Sequence, residues 1–557
     1  MAPRALKLGT RRSALARAQS AAVARQLEQL HPGLTVELVG IETRGDRILD
    51  TPLSAVQGKE FFTDDLDTAL LAGETDFTVH SYKDLSLERS ERLLLAAVPR
   101  RAQPHDIAVF AADVPERLAA GHELVIGSSS PRRAAFVPEL LQSVLPRRSA
   151  DRRELGRVRL VDLRGNVDSR LRRLHEPRGS TRQLDGIVLA FAGLSRLWAD
   201  AAGVVLLREL LAPLPRMVLP LSQCPAAPAQ GALALECRSD DPVTAGLLAA
   251  MDHLPSRRAV AAERALLALR GGGCHQRFGA TQIELPGVGT LLYQRAASDN
   301  GAVAGGDRGG HASADAGAAL EVFETQLQWT PEAPLAAPSG PVLAWDGSRA
   351  ARTGVEPLAA GIAQSAERLK SAAAVFVAHR RALPENDSIQ INSAAHVWVP
   401  GVDTWQALAG RGIWVEGCAD GLGFAALESL LAEPLLQLPA REDWTVLTHQ
   451  EAAAGWQAGE VIATYRHAEP NGAGAGAGAG TGTGADAAPP VDAAPPAGAT
   501  HVYWFSSAQF DRWRAVVAPD AQHACGPGKT YEHLRRAGVQ NLRAFPQPLH
   551  WRQWLGV

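Results

Sequence analysis

"ELVIGSSSPRRAAF", residues 123–136, runs from an apolar stretch through a small polar turn into a helix start, and that order decides the fold. Leu124, Val125 and Ile126 read as a strand. Ser130 is the natural N-cap and Pro131 suits the first helical position. The same grammar recurs on both sides. "ALKLG" (5–9) leads into "TRRSALARAQSAAVARQLEQLHPG" (10–33), where Leu15, Ala22, Val23, Leu27 and Leu30 recur at helical spacing and Pro32-Gly33 ends the run. "LTVELVGIE" (34–42) reads as a strand, "FFTDDLDTALLAG" (61–73) as a helix, and "DFTVHSYKD" (76–84) as a strand entering a loop. "VRLVDLRGNVDSRLRRL" (158–174) and "DGIVLAFAGLSRLW" (185–198) again run strand, turn, helix. Alternating strands and helices predict α/β layers with largely parallel sheets. Two such series, up to about residue 237, predict two lobes.

Beyond residue 238 the pattern changes. A helical stretch ends at the glycines of "LRGGGC" (269–274), and "TQIELP", "TLLYQR" and "LEVFETQLQW" follow as strand-like pieces. This predicts a small α+β domain over 238–330 with Cys274 on the loop where its helix ends. "TPEAPLAAPSGP" marks a proline-rich linker at 331–341. A second α/β region occupies 342–557, and its low-complexity stretch 471–500 is expected to be disordered. That region holds a weak repeat. Thr404, Leu408 and Gly412 in "GVDTWQALAGRG" match Thr530, Leu534 and Gly538 in "GKTYEHLRRAG".

The chain has 557 residues, 46% hydrophobic and 21% charged, with a net charge of −3. That balance is ordinary for a core-forming protein and argues against a dedicated nucleic-acid binder. No signal peptide and no membrane span are legible, and five cysteines without a CxxC pair indicate neither a zinc site nor a disulfide framework. A cytoplasmic setting is expected.

Arginines stand where helix dipoles disfavour them. Arg132 and Arg133 fall in a first helical turn, Arg11 and Arg12 follow the first strand, Arg164 follows "VRLVDL", and Arg170 is near the next helix start. Hydroxyls, backbone N–H groups and guanidiniums converging at strand ends make an anion crevice for a small ligand bearing several carboxylates or phosphates. Lys83 and Asp84 stand where a strand gives way to a loop; a carboxylate inside such a crevice serves N–H groups or shuttles protons, while a surface ion pair would explain the segment as well. Cys274 sits on an open loop with Arg270, His275 and Arg277 nearby, so it is either a reactive thiolate or a free loop thiol.

These pieces resemble hydroxymethylbilane synthase, also called porphobilinogen deaminase. The matching stretches are "GTRRSALARAQ", "ETRGDRILDTPL", "VHSYKDL", "GSSSPRR", "LRGNVDSRL", "AGLSRL", "PAQGALALECR" and "LRGGGC". The resemblance implies two periplasmic-binding-protein-like lobes, 1–100 with about 218–237 and 101–217, followed by the cofactor domain. It implies a dipyrromethane cofactor held by a thioether at Cys274, and head-to-tail condensation of four porphobilinogen molecules with loss of ammonia. Asp84 matches the family's catalytic aspartate, with Lys83 beside it. Arg11, Ser13, Lys83, Ser129, Arg132, Arg133, Arg164 and Arg170 match residues that hold acetate and propionate groups, and Arg196 and Lys59 fall on matching motifs. "GKEFF" (58–62) and "HQRFGA" (275–280) depart from the usual pattern.

The C-terminal region resembles uroporphyrinogen-III synthase, a two-lobed α/β enzyme that closes the linear product, hydroxymethylbilane, while inverting its last ring. "VYWFSSAQF", "CGPGKTYEHLRRAG" and "GVDTWQALAGRG" carry that likeness. It implies carboxylate contacts from Thr404, Ser506, Ser507 and Thr530, and a role for Tyr465 in the loss of water. "GPGKT" is not a P-loop, since position 523 is His where that motif needs Gly. The expectation is a bifunctional monomer acting on small molecules, with no metal. The rival readings are a deaminase with a product-binding C-terminal half, and a two-lobed anion-binding protein.

Overall fold

The computed structural model describes residues 4–43, 64–147, 157–212, 214–273, 276–297, 323–338, 342–347, 355–384, 389–456, 459–467 and 494–556. Lys59, Cys274 and residues 471–493 fall outside the described residues.

The first strands are β1 (Arg4–Arg11), β2 (Leu34–Ile41), β3 (Phe77–Ser81) and β4 (Leu93–Ala97). The chain then crosses to β5 (Asp106–Phe110), β6 (Leu124–Gly127), β7 (Val158–Val161), β8 (Gly186–Ala190) and β9 (Arg216–Val218), and crosses back to β10 (Leu233–Arg238). Two five-stranded sheets result, ordered β2-β1-β3-β10-β4 and β7-β6-β8-β5-β9. In each, three parallel strands meet an antiparallel fourth, β10 or β5. Each fourth strand is the one that has just crossed between sheets.

The apolar runs explain the layering. Every residue of β5 is buried, as is most of β3 and β8, which suits strands covered on both faces. Leu6, Leu8, Val23, Leu27, Phe77 and Leu235 fill the core of the first lobe, with helix Ala14–Leu30 supplying Val23 and Leu27. In the second, Phe136 and Leu141 of helix Pro131–Val144 pack with Phe110, Ile126, Ile187 and Phe191.

Next come helices Pro242–Ala249 and Leu254–Leu269 and an antiparallel sheet of β11 (Phe278–Leu285), β12 (Gly289–Ala297) and β13 (Phe323–Pro331). Between helix and sheet, Gly271, Gly272 and Gly273 take φ of +83°, +69° and +93°. Three left-handed residues in a row need glycine. The proline-rich stretch is tied down: Trp554 Nε1 donates to Ala336 O at 3.0 Å, and Leu335 packs with Tyr503, Phe545 and Trp551.

The remainder contributes β14 (Ala344–Asp346), β15 (Val355–Pro357), β16 (Ala374–Val377), β17 (His396–Val399), β18 (Gly417–Cys418), β19 (Trp444–His449), β20 (Glu460–His467), β21 (His501–Trp504), β22 (Gln522–Cys525) and β23 (Leu542–Ala544). These form sheets ordered β15-β20-β19-β16-β17-β18 and β14-β21-β22-β23. The chain passes between them twice, after β14 and after β20. The expectation of disorder through residue 500 runs too far. Ala499 is fully buried in the core of the β21 sheet, and Thr500 Oγ1 accepts from Leu343 N at 2.9 Å. Apolar burial and pairing anchor that end despite its composition.

The two halves join edge to edge. Val218 N at the end of β9 donates to Glu416 O at 2.7 Å, and Trp414 Nε1 donates to Arg216 O at 3.1 Å. Asp420 accepts from Leu221 N (3.0 Å), Ser222 N (3.1 Å) and Ser222 Oγ (2.5 Å), gripping the second crossing.

Candidate active site at the lobe crossings

Asp106, the first residue of β5, is fully buried. Arg132 Nη2 reaches its Oδ2 at 2.6 Å and Arg133 Nη2 its Oδ1 at 2.7 Å. Gln230 Nε2, from the second crossing, donates to Oδ1 at 2.9 Å. Burial alone would raise the Asp106 carboxyl pKa; Arg132 and Arg133 reverse that and hold it well below the usual range. Ser130 caps the helix by accepting from Arg133 N. Two cations against one carboxylate leave the pair one positive charge in excess. Arg132 Nε, Arg133 Nε and Arg164 Nη1 are buried with no hydrogen-bond partner among the described residues.

Lys83 and Asp84 come from the first lobe, on a single helical turn (Tyr82–Asp84) directly after β3. Lys83 Nζ donates to Gln230 Oε1 at 3.3 Å. Burial lowers the Lys83 pKa, Asp84 opposes it, and Arg133 and Arg132 lower it further. Asp84 is exposed. Arg170 donates to Gly165 O at 2.7 Å; its pKa is pushed down to about 10, first by burial and then by Arg133, with Asp162, Arg164 and Asp84 also in range. The structure therefore gathers Lys83, Asp84, Arg132, Arg133, Arg164 and Arg170 from both lobes.

Other candidates have different surroundings. Ser13 caps helix Ala14–Leu30 by accepting from Ala16 N, and Arg11 ends β1. Ser129 lies in the turn after β6, partly buried. Arg196 donates to Gly231 O at 2.6 Å, and burial pushes its pKa down to about 10.

Sequence reasoning missed the groups that hold this site together. Asp106 and Gln230 are two. Arg264 is a third: it donates to Tyr82 O, Leu85 O and Ser86 O and lies over the Tyr82 ring, 4.5 Å from its centroid. The third domain thus clamps the Lys83–Asp84 turn. A Cβ on Gly272 would meet Leu87 Cδ1 at 2.9 Å, so the glycine loop also presses on the strand-to-loop segment that carries Asp84. Glu263, fully buried, accepts from Arg101 at 2.5 and 2.9 Å and from Ala229 N and Gln282 N at 2.7 Å, fastening both crossings to helix Leu254–Leu269. The positive φ of Ala229, 66°, is the local cost of that arrangement.

Residues 6–245 match the family model "Porphobilinogen deaminase, dipyromethane cofactor binding domain". A porphobilinogen deaminase of Roseiflexus castenholzii is 39% identical over 322 residues, covering 58% of this chain and 95% of that protein. The chain belongs to the porphobilinogen deaminase family. The porphobilinogen deaminase of Sphingopyxis alaskensis is 42% identical over 287 residues, covering 49% of this chain and 78% of that protein. Among solved structures, YhfZ from Shigella flexneri overlaps 47% of this chain and 91% of its own at 16% identity, with a TM-score of 0.22. The cofactor of the deaminase family is dipyrromethane, and the unpartnered buried guanidinium nitrogens suit its acidic side chains.

Outside the deaminase half, the candidates divide. Ser506 and Ser507 begin helix Ser507–Trp513, with Ser506 accepting from Gln509 N, and Thr530 sits in the first turn of helix Lys529–Arg536. Beside it, Lys529 Nζ lies over the Trp456 ring at 2.8 Å, and burial pushes its pKa down to about 6. Thr404 is 6% exposed in helix Val402–Ala409, whose last residue accepts from Arg147 N of the deaminase half. Thr404 itself is buried within that helix. Tyr465 is 5% exposed, and burial pushes its pKa up to about 12.

Proposed function

We propose that the crevice at the lobe crossings condenses four porphobilinogen molecules into linear hydroxymethylbilane, with dipyrromethane attached at Cys274. The carrying observation is the gathering of Lys83, Asp84, Arg132, Arg133 and Arg170 from two lobes around an incompletely neutralised cation cluster. Arg132, Arg133, Arg164 and Arg170 hold the cofactor's acetates and propionates by charge-assisted hydrogen bonds. The bound cofactor supplies a covalently anchored pyrrole on which the chain grows. Asp84 accepts from pyrrole N–H groups and opposes the positive charge that develops as the C–N bond of porphobilinogen breaks and ammonia departs. Lys83, held on Gln230, balances the Asp84 carboxylate and orients substrate carboxylates.

The experiment is a pair of variants. Cys274→Ala should lack the cofactor's added mass in intact-protein mass spectrometry; retention of that mass sinks the attachment site. Asp84→Ala should keep cofactor and melting temperature while turnover falls by about 100-fold or more; near-normal turnover removes Asp84 from the reaction.

The C-terminal half closes hydroxymethylbilane to uroporphyrinogen III in this reading. Support comes from two sheets linked by two chain passages, with Ser506, Ser507 and Thr530 at the starts of the helices that follow β21 and β22. Tethering gives the second site a high effective concentration of the first site's product. Chromatography of the oxidised product isomers tests it. Predominantly type III product supports cyclisation; predominantly type I product from the active full chain leaves a half that only binds the linear tetrapyrrole.

A further inference from the structure

At one end of the six-stranded sheet, the last residues of two neighbouring strands bring metal-binding side chains together. His449 ends β19, His467 ends β20, and Glu451 follows two residues after His449 in helix Gln450–Ala453. Strands β19 and β20 pair in parallel, and their register shifts between Thr448 and His449, so that His449 faces Tyr465 rather than Thr464. Such a bulge re-aims a side chain. Tyr465 and His467, two residues apart on one strand, share a face. The rings of His449 and His467 are 4.9 Å apart, with Tyr465 5.7 and 5.8 Å from each. His449 Nδ1 pairs with Glu451 Oε2 at 2.7 Å, and Glu451 Oε1 accepts from His467 N at 3.2 Å. One donor atom from each of the three side chains falls within 4.8 Å of the others.

Two imidazoles and a carboxylate are the donor set of open zinc sites, in which a fourth position is left to water or substrate. Bonds of about 2.1 Å place tetrahedral donors roughly 3.4 Å apart, so small side-chain rotations would complete the site. The position also suits a ligand, at the carboxyl ends of parallel strands. A second cluster in the molecule shows the contrast. Asp67, His80 and Glu236 also converge, but Arg89 already neutralises them, reaching Asp67 at 2.7 and 2.8 Å and Glu236 at 2.6 and 3.1 Å. Among the described residues no arginine hydrogen-bonds Glu451.

We propose that His449, Glu451 and His467 bind one divalent transition-metal ion of the zinc type, with an open coordination position beside Tyr465. This stands independently of the cyclisation reading. A site of this kind would fasten the ends of β19 and β20 and offer a Lewis-acidic position to an oxygen ligand.

The test uses the full chain, stripped with a chelator and titrated with Zn2+ by calorimetry and with Co2+ by visible absorption. The expected result is one ion per chain and a four- or five-coordinate Co2+ spectrum. His449→Ala combined with His467→Ala should weaken binding by about 100-fold or more, and Glu451→Gln by about tenfold, with deaminase turnover unchanged as the check on folding. Absence of stoichiometric Zn2+ binding by the wild-type chain overturns the proposal, as does equal binding by the double variant. Should the double variant fail to fold, the wild-type Co2+ spectrum decides, since a six-coordinate, water-like spectrum equally rules the site out.

Discussion

Arg132 and Arg133 stand out in the sequence because cations at a helix start oppose its dipole. Their partner is invisible there: Asp106 is 26 and 27 residues away in sequence and reads as the plain beginning of an apolar strand. Local rules thus flag the arginines but cannot supply the carboxylate, because a strand crossing from the other lobe delivers it. His105, the neighbour of Asp106, carries a consequence. Burial pushes its pKa down to about 4 from 6.5, with Asp106 opposing. The unfolded chain therefore takes up the proton first as pH falls, and stability is lost between pH 6.5 and about 4, by up to about 3 kcal/mol from this group. Burial also lowers the pKa of His80, His379, His467, His501, His523 and His550, so His105 shares the effect. Denaturant midpoints measured across that range should fall for the native chain, and His105→Gln should make the fall shallower. An unchanged slope would mean His105 is not buried as described.

Single elements were largely legible. The strand–turn–helix segments at 5–30, 124–144 and 186–198 appear as read, because their apolar periods are local. The antiparallel placement of β5 and β10 was not legible, since it depends on where the chain crosses rather than on composition. The weak repeat has a physical basis. Leu408 and Leu534 are both fully buried, and Gly412 and Gly538 both close their helices with φ near +80°, at +78° and +79°. The strands directly before the two helices are β17 and β22. At the crossings, Gly231 is the critical residue. Its φ is +86°, its carbonyl accepts from Ala102 N and Arg196, and an added Cβ would meet Ala102 O at 2.5 Å. Gly231→Ala should cost about 2–4 kcal/mol in chemical denaturation. A loss under 1 kcal/mol would mean that the two crossings part easily.

Across the whole molecule, the change from alternating strands and helices to a helix followed by an antiparallel sheet was legible in the patterning, whereas the junction between the halves was not. Edge pairing of β9 with the segment before β18, and apolar contacts of Leu221 and Leu422 with β11 and β12, involve residues that look like ordinary loops. A chain ending at residue 341 should therefore expose an unpaired strand edge and apolar surface. Light scattering and thermal melts should find it aggregating or melting several degrees lower than the full chain; equal stability would show the junction to be dispensable. Both crossings are fastened to the C-terminal half, one through Asp420 on Leu221 and Ser222, the other through Gln103 on Ser429 at 3.1 Å. Asp420 is held in a left-handed conformation with φ of 52°, so it has little room to yield. Thermodynamic reciprocity then applies to this backbone: if filling the first cleft shifts these straps, it alters affinity in the second half, and occupancy of the second half must alter the first by the same factor.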